Sequence, residues 1–266
     1  MLSRGTVVLV SGFNEPAEHL RTLVEGRHGI PGLRTAGFEC ALVPRFDLPL
    51  RERIDRFAAI FEDELLRRDA PQPYHLVGYS LGGLVVRGFL RAHPERARDV
   101  RAIATIATPH WGLALSVLPT LSRYLRVPDP ALADLTLDAP FMHWLNGTGG
   151  HWERVQGRRR SAWILDEEPW IAPDGVPLLA IVGLLPGREG DGLIPDDAAT
   201  LGGRIPVHRL IGPTCNHFNL IGLPDLMLLS AVGVFGNDRV WPMTVRALLR
   251  WFGVKPVFQR ERLAAV

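Results

Sequence analysis

The chain has 266 residues, a length that suits one sizeable domain or two small ones and buries a core without metals or disulfides. Its 30 basic and 28 acidic residues give a formal net charge of +2, which argues against nucleic-acid binding. With 47% hydrophobic and 22% charged residues, the composition excludes a disordered or fibrous protein. Two cysteines, Cys40 and Cys215, are too few for a disulfide scaffold and form either two thiols or one bridge.

The apolar stretches are too short or too interrupted to cross a membrane. The N-terminal run TVVLV follows a single arginine and lacks the length of a secretory signal. The most apolar stretch, 220–235, is interrupted by Pro224, Asp225 and Ser230. We therefore expect no transmembrane segment and a soluble, cytoplasmic protein, with an already processed secreted form left open.

Short apolar runs alternate with amphipathic stretches along the chain. Strands are predicted over 6–10, 38–43, 74–77, 102–106, 178–182 and 207–211. Helices are predicted over 17–25, 51–68, 81–91 and around 243–252. The first strand is wholly apolar, as in a parallel sheet covered on both faces. The alternation predicts an α/β fold with about six mostly parallel strands and helices on both faces.

Between about 113 and 177 this alternation breaks. The segment contains two helical stretches, LALSVLPTLSRYL and DPALADLTL, then FMHWLNGTGG and a polar loop. Four of the seven tryptophans lie here, at 144, 152, 163 and 170. An insertion of this length between two core strands predicts a helical cap over the carboxyl edge of the sheet.

The strongest motif is GYSLGG, residues 78–83, directly between a predicted strand and a predicted helix. This is the G-x-S-x-G turn, which exposes a serine hydroxyl at the sheet edge and needs small neighbours around the strained serine. The glycines Gly78, Gly82 and Gly83 supply that space. The motif predicts Ser80 as a nucleophile.

A nucleophilic serine needs a base and an acid, which in this context follow it along the chain. His217 lies in the loop after the last predicted strand and is the preferred base. Asp191 lies after the strand 178–182, flanked by glycines, and is the preferred acid. The alternative bases are His93, His110, His143, His151 and His208, and the alternative acids are Glu189, Asp196 and Asp197.

Acyl transfer also needs backbone donors where the oxyanion develops. One is predicted at Leu81, directly after the serine and at a helix N-terminus. The other is predicted at Phe13, in the SGFN loop after the first strand, where Gly12 lets the backbone turn.

Several segments together resemble the lipase and serine-esterase branch of the α/β-hydrolases. HLVGYSLGGLVVR resembles its nucleophile segment, IATIATPHWG a TPH-x-G loop, and DAPFMHWLN a [ST]PF-x-x-x-LN segment. GDGLIP resembles the acid loop and NHFNL the histidine loop. The motifs occur in the family's order from about residue 6 to 220. The serine precedes the insertion, and the acid and histidine follow it, so we predict one domain over 1–266 with a cap at 113–177.

The resemblance implies an α/β-hydrolase fold and a carboxylic-ester hydrolase with Ser80, His217 and Asp191 as triad and Phe13 and Leu81 as oxyanion donors. The substrate would be a small-molecule or lipid ester, and no cofactor is needed. The family's His-Gly at the oxyanion loop is Ser11-Gly12 here, which removes a side chain that usually braces the loop. The histidine loop lacks the acidic cluster of calcium-binding lipases, so no metal site is expected, and the cysteines are expected not to bridge.

More than one function is compatible with these residues. An acyltransferase or amidase would use the same triad, a non-catalytic ligand-binding homologue would keep the fold, and a structural interaction module would use the tryptophan-bearing cap. For an esterase, we predict an apolar acyl pocket. Its candidate lining residues are Tyr79, Trp111, Met142, Trp144 and Phe218.

Overall fold

The computed structural model of the chain describes residues 4–12, 16–44, 46–114, 130–153, 162–223 and 240–254. Its strands are β1 (Thr6–Val10), β2 (Gly26–Arg27), β3 (Ile30–Pro31), β4 (Glu39–Val43), β5 (Tyr74–Tyr79), β6 (Val100–Ile106), β7 (Gly150–Glu153), β8 (Ala162–Leu165), β9 (Leu178–Leu184) and β10 (Val207–Ile211). Its helices are α1 (Arg21–Glu25), α2 (Leu50–Ile60), α3 (Leu81–Ala92), α4 (Pro140–Asn146), α5 (Asp196–Thr200) and α6 (Val240–Trp251). Every described helix is too short or too polar to span a membrane.

Six of the strands form one parallel sheet in the order β10-β9-β6-β5-β1-β4. Because all six run in the same direction, the loops that follow them meet at one edge of the sheet. The predicted six-stranded parallel sheet is confirmed. Each predicted core strand is present, with β5 and β9 extending two residues beyond the predicted ends and β6 beginning two residues earlier.

The sheet is covered on both faces because its strands are apolar on both sides. In β1, Val8 and Val10 pack into the cluster formed with α2 and α3. Val7 and Leu9 pack into the opposite cluster, formed with α1 and α6. Side chains alternate between the faces along a strand, so a wholly apolar strand needs helices on each side. This arrangement confirms the predicted layers.

The helix predicted over 51–68 is α2 followed by one turn of π-helix over Phe61–Leu66. Its apolar positions face the sheet as the spacing predicts, with Leu50, Ile54, Phe57 and Phe61 buried.

The described part of the insertion differs from a purely helical cap. It contains a 3-10 helix at Pro130–Leu135, the helix α4 and an antiparallel hairpin of β7 and β8. Residues 115–129, which carry most of the first predicted cap helix, lie outside the described residues. The hairpin was not predicted, and Trp163 of β8 is buried against the main cluster instead of lying in a polar loop.

The two cysteines lie near opposite ends of the strand order. Cys40 is on β4 and Cys215 follows β10, and both are free. Cys215 packs against Gly183 of β9, which is four strands from β4, and strands in a sheet are about 4.8 Å apart, so about 19 Å separates the two residues. The prediction that they do not bridge is confirmed.

Candidate active site

Ser80 lies at the sharp turn between the end of β5 and the start of α3, in a strained backbone conformation. Its φ of 52° and ψ of −124° place a non-glycine residue at positive φ. Such a conformation costs about 1–3 kcal/mol and persists where the surroundings enforce it, most often at functional sites. The strand–turn–helix context required by the motif is therefore present at Ser80.

Close backbone approach explains the glycines around the serine. A Cβ on Gly82 would lie 2.2 Å from the carbonyl oxygen of the last β1 residue. A Cβ on Gly12 would lie 2.6 Å from the Cβ of Ser80, so the loop after β1 reaches the serine. A Cβ on Gly78 would lie 2.4 Å from the Cα of Gly83. Any larger residue at these positions would push the turn apart.

Asp191 and His217 form a buried pair at the same edge of the sheet. The Nδ1 of His217 lies 2.8 Å from Oδ2 of Asp191, and the backbone N–H of His217 donates to the Asp191 carbonyl at 3.2 Å. An ionised carboxylate only accepts hydrogen bonds, so Nδ1 carries the proton and the lone pair is on Nε2. That tautomer is the one a general base requires.

The candidate acid, Asp191, is itself held by its own loop. Oδ1 of Asp191 accepts the backbone N–H groups of Leu193 at 2.9 Å and Ile194 at 2.7 Å. Hydrogen bonds to the charged form stabilise a carboxylate that is buried, as this one is. The second carboxylate oxygen, Oδ2, is directed at the histidine.

His110, one of the other candidates for the base, has a different environment. It is fully buried, and its Nδ1 lies 3.3 Å from the Nη1 of Arg87 while its Nε2 lies 2.9 Å from the Oγ1 of Thr105. Burial, and then the charge of Arg87, lower the pKa of His110 well below its ordinary value. His110 is therefore a neutral member of a buried network.

That network joins the insertion to α3. Arg87 donates from Nε to the Ile171 carbonyl at 3.0 Å, from Nη2 to Oδ1 of Asn146 at 3.1 Å, and also from Nη2 to the Trp170 carbonyl. All three acceptors belong to the insertion. Neither Arg87 nor Asn146 was predicted from the sequence, although both lie in segments that carry the resemblance.

His151 and Asp196, which the sequence also offered as a base and an acid, form ion pairs away from the β5–α3 turn. His151 pairs with Asp166 at 2.9 Å, and this pair is exposed on the β7–β8 hairpin. Asp196 makes two 3.0 Å hydrogen bonds with Arg209 on β10, at the end of the sheet order.

Of the two predicted oxyanion donors, Leu81 is the first residue of α3, where backbone N–H groups lack partners within the helix. Its N–H therefore lies beside Ser80 at the positive end of the helix dipole. Phe13 lies outside the described residues. The adjoining Gly12 is described, and its contact with Ser80 brings the loop after β1 to the serine.

Three of the predicted pocket residues pack against other parts of the molecule. Tyr79 is fully buried, because it faces the α1–α6 side of the sheet. Met142 is buried in the opposite cluster. Trp144 lies beside Gly88, about 10 Å along α3 from its start, with the guanidinium of Arg51 4.4 Å from its ring centroid.

The remaining two predicted pocket residues lie apart from each other. The ring of Phe218 lies 5.6 Å from that of His217, next to the candidate base. Trp111 lines a cavity of about 370 Å³ between the hairpin and α5, and none of Ser80, Asp191 and His217 is among its described lining residues. The cavity is also lined by Trp163, Ile164, Leu165, Asp196, Asp197, Thr200, Gly202, Gly203, Arg204 and Arg209.

Among the described residues, no group of three or more histidine, cysteine, aspartate or glutamate side chains is arranged to hold a metal ion. Asp191 and His217, which are both at the sheet edge, instead pair with each other.

Comparison with known proteins identifies the fold. No family model and no curated protein matches the sequence. The phospholipase PlaB of Legionella pneumophila superposes with a TM-score of 0.59 at 15% identity, over 94% of this chain and 60% of its own. The metagenomic carboxyl esterase MGS0156 gives 0.59 at 15% identity, over 95% and 76%. The Bacillus licheniformis lipase BlEst2, in its propeptide form, gives 0.56 at 17% identity, over 88% and 51%.

The chain has the α/β-hydrolase fold. It spans about half the length of the Bacillus lipase chain, with 51% covered. Within this α/β-hydrolase fold, Ser80 follows β5, Asp191 follows β9 and His217 follows β10, so three different strands bring them to one edge of the sheet.

Proposed function

We propose that this α/β-hydrolase is a serine carboxylic-ester hydrolase in which Ser80 is the nucleophile, His217 the general base and Asp191 the acid that orients it. One observation carries the proposal: a serine held at positive φ in the β5–α3 turn, at the same sheet edge as a buried His–Asp pair. A turn that only caps a helix does not need a non-glycine residue at positive φ, and a negative φ would be more stable there. The strain at Ser80 therefore supports a functional role for this serine.

In the proposed reaction, Nε2 of His217 takes the proton from the Ser80 hydroxyl as Oγ attacks the ester carbonyl carbon. The Asp191 carboxylate, 2.8 Å from Nδ1, stabilises the imidazolium that forms. The negative charge that develops on the carbonyl oxygen is stabilised by the N–H of Leu81 and by that of Phe13, as the sequence predicts. The imidazolium then protonates the departing alcohol, leaving an acyl-serine.

The second half of the proposed reaction repeats the first with water as the nucleophile. His217 accepts a proton from water, and the resulting hydroxide attacks the acyl carbon. Collapse of the tetrahedral intermediate releases the carboxylic acid and returns the proton to Ser80. Atoms and charge balance without any cofactor, because every proton moves between Ser80, His217, water and the leaving alcohol.

The fold comparisons support an ester as the substrate class, since the structures with this fold are a lipase, a phospholipase and a carboxyl esterase. We propose an ester with an apolar acyl group, small or lipid. The ring of Phe218 beside His217 supports this choice, because it places an apolar surface next to the base.

The proposal is tested by hydrolysis of p-nitrophenyl esters from acetate to palmitate by the wild-type protein and Ser80→Ala. Alanine meets the same penalty at positive φ as serine, so the variant changes the nucleophile without adding backbone strain. We expect turnover by the wild type and a loss of about 10⁴-fold or more in the variant. Full activity in Ser80→Ala would exclude the proposal, and faster transfer to added alcohols or amines than to water would identify an acyltransferase.

A further inference from the structure

Tyr79 connects the serine strand with the histidine loop. It is the last residue of β5 and immediately precedes Ser80. Its hydroxyl donates a hydrogen bond to the main-chain carbonyl of His217 at 3.2 Å, and both groups are buried. The two ring centroids are 5.0 Å apart, so the phenol also packs against the imidazole. The two residues are 138 positions apart in sequence.

The direction of Tyr79 follows from its place in the strand. Val77 and Tyr79 lie two residues apart on β5 and pack into the same cluster, on the face covered by α1 and α6. The loop after β10 packs into that cluster through Cys215, Leu220 and Ile221. The phenol therefore extends along the face covered by α1 and α6 to the histidine loop and does not enter a substrate pocket.

Two further hydrogen bonds of His217 tie it to a different part of the site. Its backbone N–H and its Nδ1 both bond Asp191, in the loop after β9. Those two bonds keep the acid and base together, but they do not relate the pair to the serine. The Tyr79 hydroxyl joins the pair to the strand that carries Ser80.

We propose that Tyr79 is a positioning residue, which holds the His217–Asp191 pair in register with Ser80 through the hydroxyl–carbonyl hydrogen bond. This inference rests on the proposed function, since it assigns Tyr79 a purpose only if His217 accepts the Ser80 proton. Proton transfer requires donor and acceptor within about 2.6–3.2 Å, so a small shift of the histidine loop lowers the rate. Substrate binding does not involve the phenol, because Tyr79 is fully buried.

Tyr79→Phe tests the inference, because it keeps the ring and removes the hydrogen bond. Tyr74→Phe is a matched control at the opposite end of the same strand. Tyr74 is also buried, and its hydroxyl donates to the carbonyls of Leu65 at 3.3 Å and Ala70 at 3.1 Å. Both variants lose a buried hydroxyl–carbonyl contact on β5, but only one loses a contact with the histidine loop.

Rates are measured as kcat per reactive site, with sites counted by a p-nitrophenyl phosphonate burst, together with KM and Tm. For Tyr79→Phe we expect kcat to fall about tenfold with KM unchanged, the size expected from losing one buried hydrogen bond. For Tyr74→Phe we expect a lower Tm and a kcat within about twofold of wild type.

Two outcomes would overturn the positioning role while leaving the esterase proposal intact. One is a wild-type kcat in Tyr79→Phe. The second is an equal loss of kcat in both variants, which would reflect general loosening of the strand. A wild-type protein that neither turns over esters nor reacts with the phosphonate would instead refute the proposed function, and the positioning role with it.

Discussion

Two loops at the carboxyl edge of the sheet each bury a histidine, and the charge beside each histidine is of opposite sign. In the loop after β10, His217 has Asp191 2.8 Å from its Nδ1. In the loop after β6, His110 has the guanidinium of Arg87 3.3 Å from its Nδ1. A carboxylate stabilises an imidazolium, whereas burial and an adjacent cation disfavour it.

In the proposed mechanism, burial and location do not by themselves make a histidine a base. Both side chains are almost inaccessible, with His217 4% and His110 0% exposed. His217 can take a proton and pass it on, because the carboxylate next to it stabilises the charged form. His110 stays neutral and accepts a hydrogen bond from Arg87. That arginine connects α3 with the insertion.

The largest expected effect separates the two histidines directly. His217→Gln removes the proposed base, and we expect kcat to fall about 10⁴-fold, as for the loss of a triad member. His110→Gln keeps an acceptor for Arg87, so we expect a lower Tm but a kcat per reactive site within about threefold of wild type. Steady-state hydrolysis of a p-nitrophenyl ester measures both. Equal losses of kcat would show that the neighbouring charge does not distinguish the two loops.

A second experiment removes the negative charge beside His217 and keeps the shape of the Asp191 side chain. Asp191→Asn keeps an oxygen for the backbone N–H groups of Leu193 and Ile194 but turns an NH₂ group toward Nδ1, which favours the wrong tautomer. We expect kcat to fall about 10³–10⁴-fold with little change in Tm. Asp196→Asn is the control, since it weakens only the ion pair with Arg209. An active Asp191→Asn variant would contradict the assigned role of the acid.

The charge beside His110 is expected to support stability and not catalysis. Burial, and then Arg91, lower the pKa of Arg87 to about 9, and its donors satisfy carbonyls of the insertion. Arg87→Met leaves those carbonyls without their hydrogen-bond donors, and we expect the free energy of unfolding to fall by about 3 kcal/mol. Arg91→Met, which loses ring contacts with Trp144 and Trp170, is expected to cost about 1 kcal/mol. Urea denaturation measures both, and equal costs would refute the stabilising role of Arg87.

A third buried histidine, with no charged hydrogen-bond partner in the part of the chain that the structure describes, extends the comparison to the amino end of the sheet. His75 packs against the rings of Phe38 and Phe252, which also contact each other, and its Nδ1 has no partner among the described residues. Burial, and then Arg101, lower the pKa of His75 from 6.5 to about 4. As the pH falls, the unfolded chain therefore binds a proton at His75 before the folded chain does. The stability that is present above pH 6.5 is then lost as the pH falls toward about 4.

His75→Phe removes that titration while keeping an aromatic ring. Between about pH 7 and about pH 5 we expect the wild type to lose about 2 kcal/mol more stability than the variant. Denaturant unfolding at the two pH values measures the difference. Identical pH dependence in the two proteins would show that His75 does not titrate on unfolding.

The sheet and the nucleophile turn could be predicted because their signals are local. A wholly apolar run such as β1 indicates a strand covered on both faces, and the glycines around Ser80 indicate a tight turn whatever the rest of the chain does. His217 could be preferred over His110 only by its place after the last strand. The charges that distinguish them come from residues 26 and 23 positions away.

The pocket could not be predicted, because the direction of an aromatic side chain depends on what covers each face of the sheet. Tyr79 was predicted to line a pocket, but its strand position turns it under the edge toward His217. Trp144 was assigned to the same pocket, but Arg51 and Arg91, both distant in sequence, lie over its ring. The hairpin was missed because its strands are short and interrupted by a polar segment.

The central claim is that Ser80 is activated by the histidine paired with a carboxylate and not by the one paired with a guanidinium. Labelling with a p-nitrophenyl phosphonate, followed by peptide mass analysis, tests it most directly. The account predicts a single adduct on Ser80, formed at the wild-type rate in His110→Gln and far more slowly in His217→Gln. No adduct, an adduct on another residue, or equal rates in the two histidine variants would contradict it.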